Sequence, residues 1–330
     1  MEQTQTTQKG PFEAKVSFNK KIGRKFYRLG LQFDGAAAEA FGKTRPGQFA
    51  QFDVSTIALP APEAIPEELK DASARQILLR RPFSFARVLK EAGTTAVEVV
   101  YCVLGPATLR MMTLAKGSSI SVIGPLGNGF SIPHPLGDGL RQGGKRALLV
   151  AGGMGSPPLE HLAQVLTAES PAIDAIAFAG AKAADEMPFE KPLDKISREL
   201  GFWLGEFARY SVSSLVSTDD GSVGFKGTVA DCLSDWLSQN NANPAETIIY
   251  ACGPRAMLAK IASIARDKKI DCQVSMEEMM ACGIGVCQSC AVKCVAPTGG
   301  GVPAGDKAGG VTYKLCCKDG PVFDAREVIF

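Results

Sequence analysis

The stretch Ala147-Leu148-Leu149-Val150-Ala151-Gly152-Gly153-Met154-Gly155-Ser156-Pro157-Pro158 decides the reading of the fold. Its first four residues are a continuous apolar run, the pattern of a strand buried on both faces of a sheet. Glycines follow at 152, 153 and 155, then serine and two prolines. Serine followed by proline predicts a helix start: a capping hydroxyl, then a residue that needs no amide partner. Strand, glycine turn and helix in that order put Gly152, Gly153 and Gly155 where a dinucleotide phosphate would meet a helix N-terminus. The G-x-G-x-x-G fingerprint is not met, because Pro158 stands at the third glycine. A tight strand–helix turn without a ligand fits the same residues.

Toward the C-terminus, Ala175–Ala179, Ser211–Ser217 and Thr247–Ala251 read as further strands, and Pro254–Lys268 as a helix. Strands alternating with helices predict a parallel, doubly wound, Rossmann-like sheet. Cys252-Gly253-Pro254 ends one of these strands, at the edge where open α/β sheets bind ligands. A cysteine there is also, on its own, a small buried hydrophobe.

Toward the N-terminus the period changes. Residues 12–54 read as strands, with near-alternation over Phe26–Phe33 and a turn at Arg45-Pro46-Gly47 leading into Gln48-Phe49. Strand character returns at Val97–Leu104 and Ser119–Ile123. Short strands separated by turns predict a small antiparallel barrel. Residues 55–76, with several Pro, Ala and Glu, read as an inserted loop with a short helix. The resulting division is a flexible tail (1–10), a barrel (11–140), a nucleotide-binding domain (141–270) and a cysteine-rich segment (271–330).

That last segment holds the most specific motif. Cys282, Cys287 and Cys290 are spaced C-x4-C-x2-C, the plant-type ferredoxin pattern for a [2Fe–2S] cluster. Cys317 or Cys316 supplies the fourth thiolate. Gly283 and Gly285 let the backbone wrap closely and free amides to donate to cluster sulfur. The competing reading is a structural zinc, but zinc sites pair their ligands as C-x2-C twice. Cys232, Cys272 and Cys294, and the two histidines His134 and His161, read as structural. The run Pro297–Gly310 has little reason to fold.

Composition narrows the function. A net charge of +2 over 330 residues gives no reason to expect a nucleic-acid partner. There is no apolar run long enough for a membrane span and no apolar signal region near Met1. The ten cysteines do not suit a disulfide framework and four have a ferredoxin-like spacing, so the cytoplasm is the expected compartment. Two histidines exclude a His-rich metal centre. Arg81-Pro82-Phe83-Ser84 is short, yet its chemistry suits a flavin: Arg81 can pair a pyrophosphate, Ser84 can reach a ring nitrogen, and Phe83 can pack on the cofactor. Taken without context, the motif reads first as a strand start with an ion pair.

The order of motifs resembles the electron-transfer subunits of NAD-dependent, B-type dihydroorotate dehydrogenase, within the ferredoxin-reductase superfamily. The resemblance runs from about residue 12 to the end. It rests on Pro46–Phe49, Arg81–Ser84, Gly124–Phe130, Gly152–Leu159, Thr218–Ser222, Cys252–Pro254, Met280–Gly285 and Cys317–Phe323. It implies FAD in the barrel, NAD at the Rossmann-like sheet and a [2Fe–2S] cluster in the cysteine segment. It further implies that FAD is held by Arg81–Ser84, by Val100-Tyr101-Cys102 and by Ala107-Thr108, and that Cys317 is the fourth cluster ligand. The implied partner is an FMN-containing catalytic subunit that oxidises dihydroorotate, in a heterotetramer of two of each. Cys102 stands where the family often has arginine, Ala107 where it has glycine, and Pro157 where it has alanine. The implied electron order is partner FMN, cluster, FAD, NAD, because a cluster exchanges single electrons, NAD takes a hydride, and a flavin does both. Two other readings compete: the small subunit of an NADH-dependent ferredoxin:NADP oxidoreductase or a hydrogenase-linked complex, and a cofactor-free module with structural zinc.

Overall fold

The computed structural model describes residues 10–132, 146–170, 173–190, 199–201, 203–296 and 310–330. The expected tail, the expected boundary at 140/141, His134 and nearly all of the 297–310 run lie outside these residues.

The first elements are β1 (Gly10–Lys21), β2 (Phe26–Asp34), α1 (Gly35–Gly42), β3 (Phe49–Phe52), α2 (Lys70–Ser73), β4 (Arg81–Glu91), β5 (Thr94–Cys102), α3 (Pro106–Met111) and β6 (Ser119–Leu126). The six strands close an antiparallel barrel in the order β1-β2-β5-β4-β3-β6. Alternation sorts each strand: Val97, Val99 and Tyr101 of β5 fill the barrel, while Val100 and Cys102 face out. α1 was not expected. It interrupts the strand reading of 12–54 and seats Phe41 on Phe33, ring centroids 3.9 Å apart. The 55–76 insertion carries two 3-10 turns and α2, as its composition suggested. It is tied down near α3, where Arg110 and Thr113 donate to the carbonyls of Ile57 and Ala58.

The second unit contains β7 (Arg146–Gly152), α4 (Ser156–Glu169), β8 (Asp174–Ala181), α5 (Gly205–Ala208), β9 (Ser213–Thr218), β10 (Phe225–Lys226), α6 (Val229–Gln239), β11 (Thr247–Cys252), α7 (Arg255–Lys268) and β12 (Asp271–Ser275). After it come β13 (Ala291–Val295), β14 (Val311–Leu315) and β15 (Val322–Asp324). The sheet order is β10-β9-β8-β7-β11-β12-β15, parallel except for β15, which returns antiparallel on β12. Both β12 and β15 lie within 271–330, so the sheet extends past the division expected at 271. The Ser156 cap reading is corrected. A 3-10 turn over Gly153–Gly155 runs straight into α4, so Gly155 takes the cap position and Ser156 is already helical and buried.

Barrel and sheet meet across a buried ion cluster that the sequence did not reveal. Arg28 projects outward from β2 and is 2% exposed. It donates to Glu98 at 2.9 Å and, in bidentate fashion, to Glu160 of α4 at 3.1 and 2.8 Å. Glu190, Glu206 and Arg209 complete the group at 3.5–3.8 Å. Burial pushes the Glu160 carboxyl up to about 7, against the pull of Arg28.

Candidate functional site

The glycine turn and the Cys252 turn interlock at the carboxyl edge of the sheet. β7 and β11 are parallel neighbours, with Ala151 opposite Cys252. A Cβ on Gly155 would overlap the Cys252 carbonyl, so only glycine lets the two turns approach. Gly152, Gly153, Gly155, Cys252, Gly253 and Pro254 therefore line one edge, next to the amino end of α4, where phosphates bind in such sheets. Burial pushes the Cys252 thiol up to about 12, so it stays neutral. His161, on the same helix, is buried, and burial holds its imidazole down to about 3.

On the barrel, one outer face gathers part of the flavin motif. Val100 and Cys102 cluster with Ile22, Phe26 and Ala86, and Met154 of the glycine turn packs against them. Ser84 and Pro82 share the outward side of β4, opposite Phe49 and Gln51 of β3. A flavin ring laid here would lie between the barrel and the nucleotide edge. Phe83, Tyr101 and Ala107 do not join this face, because their side chains pack with the barrel core. Tyr101 donates to Asn19 and stacks on Tyr27, and burial raises its pKa. Thr108 accepts from the amides of Leu104 and Gly105, fixing the turn before α3.

A cavity of about 520 Å³ opens where β5 ends. Its lining mixes Lys21, Arg24 and Lys25 with Glu68, Asp185 and Glu186. Arg81 begins β4, the antiparallel neighbour of β5, so it stands at this same end of the barrel. Its guanidinium donates to the carbonyls of Leu79 and Arg80.

The cysteine loop has the wrapped amides that its glycines predict. The Cys282 sulfur accepts from the backbone N–H groups of Ile284, Val286 and Cys287 at 3.4–3.5 Å. Contact with the Ser289 hydroxyl, and then with backbone amides, holds the exposed Cys287 thiol down to about 6. A β13–β14 hairpin, missed in the sequence, pairs Ala291 with Leu315 and so sets Cys290 beside Cys316 and Cys317. The amide of Cys317 donates to the Cys290 sulfur at 3.4 Å. The Cys317 thiol lies in the field of Cys290 and Cys282, and burial pushes it up to about 12. Cys316 donates to the Met276 carbonyl at 3.4 Å, although its thiol too lies in the field of Cys290. Among the described residues no three His, Cys, Asp or Glu side chains converge on a single ion. A binuclear cluster spreads its thiolates over two irons.

The segment is anchored to the barrel. The Asn128 side chain donates to the carbonyls of Asp319 and Val322 and accepts from the Val322 amide, at 2.8–3.0 Å. The Gly124–Phe130 and Cys317–Phe323 motifs, far apart in the chain, thus bind each other.

Residues 277–329 match the family model of the iron–sulfur cluster binding domain of dihydroorotate dehydrogenase B. The chain is 30% identical to the electron transfer subunit of dihydroorotate dehydrogenase B (NAD(+)) of Caldanaerobacter subterraneus subsp. tengcongensis, over 96% of this chain and 98% of that one. It is 32% identical to the subunit of the same name from a Geobacillus species, over 94% and 95%. The chain belongs to this family. Among solved structures, one of an NADH-dependent reduced ferredoxin-NADP oxidoreductase is similar at TM-score 0.66 and 25% identity, over 96% of this chain and 89% of that one. A cytochrome P450 reductase of Amycolatopsis, at TM-score 0.55 and 19% identity over 80% and 68%, shares the fold. Against this family the Arg28 cluster and Gln51 are what sequence reading missed. Both are polar side chains on strands, and neither carries a motif.

Proposed function

We propose that this chain passes electrons from an FMN-containing catalytic subunit, which oxidises dihydroorotate, through [2Fe–2S] and FAD to NAD, in a heterotetramer of two of each in the cytoplasm. No helix among the described residues is long and apolar enough to cross a membrane. Three units divide the work: a FAD barrel, a nucleotide sheet and a cysteine segment. Cys282, Cys287, Cys290 and Cys317 hold the cluster. The outer face at Ser84, Val100 and Cys102 holds the flavin ring, with Arg81 toward its phosphates. Gly152–Gly155 and Cys252–Pro254 hold NAD. The bound groups supply the redox chemistry, and the protein supplies position and electrostatics.

The observation that carries this reading is the packing of the cysteine loop on β3, the strand paired with Arg81–Ser84. The test is to purify the chain with its neighbour subunit. Flavin and iron–sulfur absorption, and dihydroorotate-dependent reduction of NAD, are expected. A colourless protein would sink the reading. The structural likeness to the ferredoxin-NADP oxidoreductase favours a second reading, a subunit of that enzyme class. A co-purifying partner that reduces ferredoxin and ignores dihydroorotate would establish it instead.

Three expectations follow at the sites. Arg81→Ala should weaken FAD retention, since a lost charge-assisted contact costs about 1.5–3 kcal/mol. Full, tightly held flavin after gel filtration would remove Arg81 from the site. NADH should outperform NADPH in steady-state kcat/KM. Asp219 and Asp220 are exposed in the turn after β9, and their charge repels a 2′-phosphate. A clear NADPH preference would point to Lys182 instead. Met279 and Val286, 88% and 74% exposed beside the cysteine loop, suit a partner that must approach the cluster. Met279→Glu should weaken the complex while leaving flavin and iron content unchanged. Unaltered co-elution with the partner would exclude this face.

A further inference from the structure

Gln51 is a polar side chain with no hydrogen-bond partner among the described residues. It is 0% exposed. Neither its amide nitrogen nor its amide oxygen has a hydrogen-bond partner. Alternation along β3 turns Ala50 and Phe52 into the barrel, and Phe49 and Gln51 outward. Across the ladder Gln51 faces Pro82 of β4 and Ile123 of β6. Over it lies Gly283, in the left-handed region at φ +70. A Cβ there would stand 2.5 Å from Gln51 Nε2 and 2.7 Å from its Cγ. The glycine next to Cys282 thus leaves room for this amide.

A buried amide without a partner costs about 1–3 kcal/mol, and methionine would fill the same space without that cost. An acceptor next to Gly283 would relieve the amide nitrogen, and the cluster proposed for this loop offers one. The amides of Ile284, Val286 and Cys287 already serve the Cys282 sulfur from within the loop. Gln51 approaches the same loop from the barrel side.

We propose that Gln51 is a positioning residue whose amide N–H donates to cluster sulfur on the Cys282 side and thereby sets the cluster's reduction potential. This rests on the cluster assignment above. A hydrogen bond to sulfur stabilises the reduced cluster, which carries the extra negative charge, so its loss lowers the potential. The oxidised flavin is the other acceptor within reach of this face, and the test separates the two.

The experiment is a redox titration of the intact complex, followed by electron paramagnetic resonance for the cluster and by absorbance for the flavin, in wild type and Gln51→Met. A downward shift of the cluster potential, with flavin potential and iron content unchanged, supports the proposal. An unchanged cluster potential overturns it, as does a shift confined to the flavin. Absence of any cluster in wild type would instead remove the underlying assignment. Should Gln51→Met fail to load its cluster, a second measurement decides. Protein carrying nitrogen-15 in its glutamine side-chain amides and the substitution Gln288→Gly, which removes the glutamine beside Cys287, is reduced and studied by pulsed resonance. Coupling of a side-chain nitrogen to the cluster spin supports the proposal, and its absence overturns it.

Discussion

Cys317→Ser should abolish the native [2Fe–2S] signal, while Cys316→Ser should keep it. Cys316 and Cys317 lie in the turn that follows β14, not on an extended strand, so it is the turn that separates their thiols. Here one thiol faces Cys290 and Cys282, and its neighbour faces the Met276 carbonyl in the core. The first three cysteines sit in one loop, and the hairpin brings the fourth to Cys290 whatever the length of the run between β13 and β14. Loop closure entropy grows only logarithmically, so that length adds little. Iron content and the resonance signal after reduction provide the measurement. Iron should fall from about two per chain to near none in the Cys317 variant. Loss in the Cys316 variant alone would mean that Cys316, and not Cys317, is the ligand. Full clusters in both would mean that either thiol can serve.

Arg28→Met should be the most destabilising single change at the junction of barrel and sheet. It leaves Glu98 and Glu160 buried without their cation, and breaking a buried pair costs about 3–5 kcal/mol. The loss should depend on pH. Burial raises the Glu160 pKa from 4.5 to about 7 in the folded chain. A raised carboxyl contributes stability that is present below 4.5 and is lost as pH rises through 7. Without Arg28 the carboxyl rises further and takes up a proton, so the deficit should be small near about pH 5 and grow toward about pH 8. The urea midpoint of each protein at both pH values is the readout. An equal deficit at both would show that Glu160 does not report on the pair.

The periodic elements were legible because period is a local property. Alternation over Phe26–Phe33 and the apolar run Ala147–Val150 each identify a strand without reference to the rest of the chain. Of the proposed flavin set, Val100 and Cys102 share a face with Met154, whereas Phe83 and Tyr101 turn into the barrel. A motif names a strand and does not say which of its alternating residues points outward. α1 was hidden because a run of alanines after an apparent strand has no amphipathic stripe to announce it. β15 was hidden because its pairing partner, β12, lies some fifty residues earlier.

The sequence by itself determined the barrel, the parallel sheet, the cysteine loop and, through its motifs, the family. These rest on short-range spacing: two for strands, strand–turn–helix for the nucleotide edge, four and two between cysteines. Only the tertiary structure decided how the pieces meet. It decided that the Cys317 thiol contacts Cys290 while the Cys316 thiol donates to the Met276 carbonyl. It decided that Arg28 binds carboxylates from both units, and that Gln51 is buried under Gly283. The physical reason is the same in each case. An arginine or glutamine on an alternating strand reads as a solvent-facing residue, and it becomes a buried donor only when a distant segment closes over it.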